Sequence, residues 1–259
     1  MNRTKKAWIN VLFLLATLVV NGLGAAGVIN GLSQKEISDR YLTLITPSPS
    51  TFSIWSVIYI LLITSLLVMV FKKNDDYYRK AIDETSLLFR ISCMFNIVWI
   101  VLFSFLQVEL SSLFIFGFLI TLSLIGLKLR KIHSKRRFLL PLTYGLYTGW
   151  LMIATVVNIS ASLVKIQWGG FGIDHEILAV ITLIVAMILV FLVLQSNKNA
   201  VFPLPIAWAY FGIYQFLNAP EGFDGAYSLL PIVCLVGMVV LIGIAAIQLY
   251  KNQFSLITK

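Results

Sequence analysis

Three groups of side chains recur along the chain at spacings that place each group on one face of an α-helix. Each group contains aromatic rings, and two groups add an asparagine. The groups are Phe52, Trp55 and Tyr59; Asn96, Trp99 and Phe103; and Tyr147, Trp150 and Asn158. Such rings stack on flat apolar molecules, and amides form hydrogen bonds with polar edges. These residues are therefore suited to binding a ligand. We predict that all eight of Trp55, Tyr59, Asn96, Trp99, Phe103, Tyr147, Trp150 and Asn158 line one ligand pocket.

Two alternatives accompany this prediction. Aromatic stripes also arise from packing between helices or from belts at a membrane surface. An asparagine in an apolar helix also serves as an interhelical hydrogen-bonding group, worth about 0.6–2 kcal/mol. The stripes and the amides therefore predict either a pocket or a set of packed helix contacts.

The apolar segments hold almost no charge near their centres, and the chain lacks the common hydrolase, metalloprotease and phosphate-binding motifs. The only consecutive acid–histidine run, Asp174, His175 and Glu176, makes a poor chelate because adjacent side chains point in different directions. Cys93 and Cys234 are too few for a zinc site. We therefore predict no metal site and no enzyme, with activity on a bound pigment or lipid left open as an alternative.

The composition predicts a polytopic membrane protein. Of 259 residues, 59% are hydrophobic and 12% are charged, whereas a soluble domain is about 45–50% apolar and about 25% charged. The net charge is +9, but the basic residues cluster between apolar runs. This clustering indicates topology control and contact with anionic lipid headgroups, and it argues against nucleic acid as a partner.

The predicted fold is an all-α membrane bundle of about eight transmembrane helices, because a bilayer core needs about 20 apolar residues per helix. The segments are 8–28, 52–71, 87–107, 111–129, 138–160, 177–195, 202–217 and 227–250. The seventh is short and contains Pro203 and Pro205. Prolines in a short span are typical of the broken helices of transport sites, which suggests a transporter or permease as the alternative function.

The loop charges predict the orientation. Alternate segments, starting with the N-terminus, hold nearly all the basic residues, and the other loops hold only Lys35, Arg40 and Lys165. Both termini are therefore predicted to lie in the cytoplasm, with the protein in the cell membrane. The strongly basic loop 128–137 is interpreted as topology control, with lipid-headgroup binding as its alternative.

The longest connection, residues 31–50, is predicted to be a packed lid. Ser33 and Glu36 have the spacing of a capping box, which predicts a short helix. Pro47 and Pro49 then favour extended backbone before the second span. Its apolar residues, Tyr41, Leu42, Leu44 and Ile45, favour packing over disorder.

These motifs resemble the tryptophan-rich sensory protein family, the bacterial relatives of the mitochondrial translocator protein. The matching elements are Pro47 and Pro49 followed by Phe52-x-x-Trp55-x-x-x-Tyr59, Asn96-x-x-Trp99-x-x-x-Phe103, and Tyr147-x-x-Trp150-x-x-x-Ala154-x-x-x-Asn158. They fall in order on the second, third and fifth spans. The chain departs from the pattern at Leu146, where a proline is usual, and in lacking a tryptophan between its loop prolines.

The resemblance implies a five-helix unit over residues 1–160, followed by a three-helix segment over 161–259 that short members lack. It also implies a pocket under the first loop, lined by the eight residues named above, and a possible homodimer. The implied ligand is a hydrophobic planar molecule, such as a porphyrin or haem, or a lipid, and the implied role is that of a sensor. No firmly bound cofactor is predicted.

Overall fold

The structure is a computed structural model that describes residues 2–132, 134 and 137–258. Within these ranges the chain is helical and contains no strand. The α-helices are α1 (Arg3–Ala25), α2 (Gln34–Arg40), α3 (Ile54–Phe71), α4 (Asp76–Ser104), α5 (Val108–Lys131), α6 (Leu139–Lys165), α7 (His175–Asn197), α8 (Leu204–Asn218) and α9 (Leu229–Lys251), with 3-10 turns at Pro49–Ser53 and Gly170–Gly172. The predicted all-α fold is confirmed.

Side-chain caps explain where several helices begin. Asp75 accepts the backbone N–H groups of the first turn of α4, and Asp174 does the same for α7. At α2, the Ser33 hydroxyl accepts from the Glu36 N–H while the Glu36 carboxylate accepts from the Ser33 N–H. The capping box predicted from the sequence is therefore formed, and it starts the short helix of the first loop.

Seven of the described helices are long and apolar enough to cross a membrane. Their outer faces expose large aliphatic and aromatic side chains, such as Phe191 on α7 and Val239 on α9, which are 53% and 62% exposed. In water such faces would be unfavourable, but lipid tails accommodate them. The chain is thus a polytopic membrane helical bundle, as predicted.

The seventh predicted span, which forms α8, has only 15 residues, or about 22 Å, against a bilayer core of about 30 Å. Pro203 and Pro205 lie at its N-cap and second position, where proline is tolerated because the N–H groups have no intrahelical partner. The prolines therefore begin α8 and do not interrupt it. The broken helix suggested by the sequence is not found at this position.

Contacts between helix ends show that the chain nevertheless returns across the bundle at α8. The Glu176 carboxylate at the start of α7 accepts the N–H groups of Leu229 and Leu230 at the start of α9. At the other end, Asn252 donates to the Lys198 carbonyl. Helices α7 and α9 therefore run in the same direction, and α8 with its flanking turns runs in the opposite one.

Both chain ends lie at one end of the bundle. Arg3 pairs with Asp83 at the start of α4, and Lys128 at the end of α5 pairs with Glu84. Arg130 of α5 donates to the carbonyl of Thr258, near the C-terminus. A chain that crosses the bundle an even number of times has both of its ends on the same side, as observed here. That this side faces the cytoplasm stays a prediction.

Candidate functional site

The structure brings residues of all three stripes together around Trp55. The Trp55 ring stacks on Tyr59 at a centroid distance of 5.3 Å. It also contacts Trp99 at 6.3 Å, Tyr147 at 6.0 Å and Trp150 at 6.2 Å, the last two edge to face. These distances fall in the range that favours aromatic pairing. We call these five residues the aromatic cluster; α3, α4 and α6 contribute to it.

Burial changes across the aromatic cluster. Trp150 and Tyr147 are 2% and 3% exposed and form its floor. Trp55 and Tyr59 are half-buried on α3. Phe52, three residues before Trp55, is exposed and contacts the Trp150 ring edge to face at 6.0 Å. The aromatic cluster therefore reaches the surface on the side of α3, and Phe52 lies at its mouth.

Two hydrogen-bond donors in and beside the aromatic cluster have no partner among the residues that the structure describes. The indole nitrogen Nε1 of Trp150 and the amide nitrogen Nδ2 of Asn96 are buried, and neither bonds to any residue that the structure describes. A buried polar group without a partner costs about 1–3 kcal/mol. A ligand that carries hydrogen-bond acceptors could satisfy them.

The amide oxygen of Asn96 is connected to the aromatic cluster through a residue outside the three stripes. Tyr59 donates its hydroxyl to Asn21 Oδ1 at 2.9 Å, and Asn21 Nδ2 donates to Asn96 Oδ1 at 2.5 Å. Asn21 lies on α1, so this chain of bonds joins α1, α3 and α4. It holds Tyr59 beside Trp55 in a fixed orientation.

Asn158 lies at the junction of three helices. Its Oδ1 accepts the Trp99 indole N–H at 3.0 Å, and its Nδ2 donates to Ser112 at 2.8 Å and Ser111 at 3.1 Å. These bonds tie α6 to α4 and α5, which is the interhelical alternative for an asparagine in a membrane helix. Asn158 thus fixes the Trp99 ring, and its direct contact with a ligand stays a prediction.

Two aromatic residues differ from the expectation. Phe103 is half-buried and makes no ring contact with another aromatic residue in the described part of the chain, so its place in the pocket stays a prediction. Phe118 of α5 was missed: it is fully buried and contacts the Tyr147 ring at 5.3 Å. Phe118 lies in a continuous apolar run whose pattern does not distinguish it from its neighbours.

The first loop is packed, as predicted, and its last residues before α3 pack against α8. Ile45 and Thr51 are 2% and 0% exposed. The Trp208 indole N–H donates to the Thr51 carbonyl at 2.9 Å, and the Ser48 N–H donates to the Gly212 carbonyl at 2.9 Å. The sequence contains no local signal for these bonds, because loop and helix are about 160 residues apart.

Three acidic residues, Glu36, Asp174 and Glu176, bond to N–H groups at the start of a helix. The Ser33 N–H holds the pKa of Glu36 below its ordinary value by donating to the carboxylate, and the Ser33 hydroxyl adds to the effect. Asp174 caps α7, and Glu176 accepts from the start of α9. The described residues include no group of three or more His, Cys, Asp or Glu placed to hold a metal.

An open groove lies between the basic end of α5 and the start of α4. Its volume is about 920 Å³, and four leucines and three basic residues line it together with two acids. Lys128 already pairs with Glu84, and Arg130 donates to the carbonyls of Ser196 and Thr258. Lys128 and Arg130 thus have structural partners, and contact of the basic residues with lipid headgroups stays a prediction. Residues 133, 135 and 136 of the basic loop lie outside the described part.

A comparison with models of protein families identifies the family of this chain. The family model described as TSPO-like protein matches residues 7–247. The chain belongs to the TSPO-like protein family. No curated protein and no solved structure matches it.

The TSPO-like match extends beyond the region in which the motif resemblance was found. It runs through residue 160 and ends within α9, so most of the last three helices lies inside the match. The division of the chain into units 1–160 and 161–259 stays a prediction. The aromatic cluster is formed entirely by residues within the matched range.

Proposed function

We propose that the chain binds a flat, largely apolar small molecule of the porphyrin or haem type in the aromatic cluster and acts as a membrane sensor. One observation carries this proposal. Trp55 contacts four other rings from three helices, and the unpaired Trp150 N–H lies in the same cluster. Apolar aromatic surface with a few convergent polar groups is the usual composition of a small-molecule site.

The ring geometry suits a planar ligand. Trp55 and Tyr59 are nearly parallel, with an interplanar angle of 22°, whereas Tyr147 and Trp150 stand almost perpendicular to Trp55. A flat molecule that entered on the exposed side of Trp55 would lie along the Trp55 face and meet the edges of the other rings. The rings are in mutual contact, so Trp55 would turn outward to admit it.

The unpaired donors would orient such a ligand. The Trp150 N–H and the Asn96 amide N–H groups form no hydrogen bond with any residue that the structure describes, and each of these two nitrogens can only donate. They would therefore select a ligand with an acceptor, such as a carboxylate or a carbonyl, at its buried edge. Asn158 would act indirectly, by holding Trp99.

The proposed role is binding without chemical turnover. The side chains of the aromatic cluster are neutral at physiological pH, so they offer stacking and hydrogen bonding and no obvious nucleophile or general base. Turnover of a bound porphyrin under light or oxidant that is lost in a Trp150 variant would contradict this assignment.

The family resemblance supports a homodimer. The charge distribution supports a location in the cytoplasmic membrane with both termini in the cytoplasm. The basic end of the bundle includes Lys6, Arg79 and Lys128, together with both chain ends. A reporter that is active only in the cytoplasm, fused to the C-terminus, tests the orientation. Cross-linking in native membranes tests the dimer.

The binding experiment is a titration of tryptophan fluorescence in detergent with protoporphyrin IX and with haem. Three of the six tryptophans lie in the aromatic cluster, so saturable quenching is expected. Trp150→Phe keeps a ring but removes the N–H donor, and it should weaken binding about three- to tenfold. Trp8→Phe is the matched control, because Trp8 lies half-exposed near the start of α1.

The outcomes separate the candidate functions. Equal affinities for wild type, Trp150→Phe and a Trp55→Ala variant would show that the aromatic cluster is packing and not a binding site. Uptake of porphyrin into vesicles that depends on an ion gradient would favour the transporter. Tight binding without such uptake would support the sensor.

A further inference from the structure

The first loop is held by the middle of α8. The Trp208 indole N–H donates to the Thr51 carbonyl, and the Gly212 carbonyl accepts the Ser48 N–H, both at 2.9 Å. A third, longer bond joins the Ser48 hydroxyl to Gln215 at 3.3 Å. Trp208, Gly212 and Gln215 recur every three to four residues, so they form one face of α8 turned toward the loop.

The fit between loop and helix is close. A Cβ atom added to Gly212 would lie 1.9 Å from the Thr51 hydroxyl oxygen. Thr51 is fully buried there, and its hydroxyl lies 3.0 Å from that of Ser48. Only glycine at position 212 allows this approach, so the contact depends on a specific residue of α8 as well as on backbone bonds.

The same short segment places the mouth of the aromatic cluster. Phe52 follows Thr51 directly in the 3-10 turn Pro49–Ser53, and its ring contacts Trp150 at 6.0 Å. The turn then continues into α3, which carries Trp55. A movement of Thr51 away from α8 would therefore displace Phe52, and with it the contact between Phe52 and Trp150.

We propose that α8 clamps the first loop over the aromatic cluster, and that Trp208 is a positioning residue that sets how fast a ligand enters and leaves. The clamp gives α8 a defined role at a site to which α8 contributes no ring. This inference rests on the proposed function for its ligand, but the clamp itself is a property of the ligand-free protein.

The opening of the first loop can be measured in the absence of a ligand. Thr51→Cys places a thiol at a fully buried position beside α8, and the two native cysteines are also buried, at 4% and 0% exposure. The rate of labelling by a maleimide then reports how often the loop opens. Adding Trp208→Phe removes the N–H donor and keeps ring contact with Phe211, which lies 6.0 Å from Trp208.

Loss of the hydrogen bond from the Trp208 indole N–H to the carbonyl of residue 51 should raise the labelling rate about three- to tenfold. Gly212→Ala in the same reporter should raise it further, because its Cβ displaces Thr51. Two controls are matched to these variants: Trp8→Phe on an exposed face of α1, and Gly243→Ala, where an added Cβ meets nothing within 4 Å. Both should label like the parent.

The rate of protoporphyrin IX release, measured by stopped-flow recovery of tryptophan fluorescence in protein with the native Thr51, completes the test. Faster labelling and faster release in Trp208→Phe support the clamp. Unchanged labelling overturns it, whether or not porphyrin binds. Faster labelling with an unchanged rate of porphyrin release would overturn the proposal that Trp208 controls ligand exchange. If no porphyrin binds to wild type, the proposed function fails, and labelling alone decides whether α8 holds the loop.

Discussion

Replacing Asn158 by leucine should destabilise the bundle and release the Trp99 ring. Leucine has a similar volume, so the substitution leaves little cavity, but it removes the acceptor of the Trp99 indole N–H and the donor to two serines of α5. Trp99 is 8% exposed, so its N–H has no ready access to another acceptor.

The magnitude follows from these contacts. An indole N–H left buried without an acceptor costs about 1–3 kcal/mol, and each lost interhelical bond to Ser111 or Ser112 adds about 0.6 kcal/mol. The expected decrease in the free energy of unfolding is therefore about 2–4 kcal/mol. About 1–3 kcal/mol of this decrease should depend on Trp99.

A double-mutant cycle isolates that dependence. Unfolding in mixed micelles with increasing SDS gives the free energy for wild type, Asn158→Leu, Trp99→Phe and the double variant. Phenylalanine has no N–H, so Asn158→Leu should cost only about 1 kcal/mol in the Trp99→Phe background. Additive effects of the two substitutions would refute the role of Asn158 in holding Trp99.

Two further predictions concern other contacts. Gly149→Ala should destabilise the protein by about 1–3 kcal/mol in the same unfolding assay, because the added Cβ would lie 2.2 Å from a backbone oxygen before α8, whereas Gly126→Ala meets nothing within 4 Å and should be neutral. Because the pKa of Glu36 is lowered in the folded state, its carboxylate stabilises α2 above the unfolded pKa, and this stabilisation is lost as the pH falls through the lowered value. The protection of the α2 amides, taken relative to the intrinsic exchange rate at each pH, should therefore fall on acidification, and Glu36→Gln should abolish that change in protection.

The sequence predicts the aromatic cluster because helical periodicity is a local property. Spacings of three and four residues place Trp55 with Tyr59 on one face, and Tyr147 with Trp150 on another, before any tertiary contact is known. The apolar length of each segment likewise predicts most helices of the bundle. The Ser33–Glu36 capping box is local for the same reason, and it was predicted correctly.

Contacts between distant segments could not be predicted in this way. Phe118 contacts Tyr147 only because α5 packs beside α6. Pro203 and Pro205 are compatible with either a broken helix or a helix start, and only the path of the preceding turn decides. For Asn158, ligand binding and helix bonding require the same residue type, so the sequence alone leaves both open.

The floor and the mouth of the aromatic cluster are held in different ways, and this difference bears on how a ligand would exchange. At the floor, Trp150 is 2% exposed, and the Asn158 amide bonds to groups on two neighbouring helices. At the mouth, Phe52 is carried by a turn that is bonded to α8 through Trp208, which donates to Thr51, and through Gly212, which accepts from Ser48. Local opening occurs where few bonds must break together. A porphyrin-sized molecule would therefore exchange through the mouth while the floor stays in place, which makes the bond from Trp208 the first one to test.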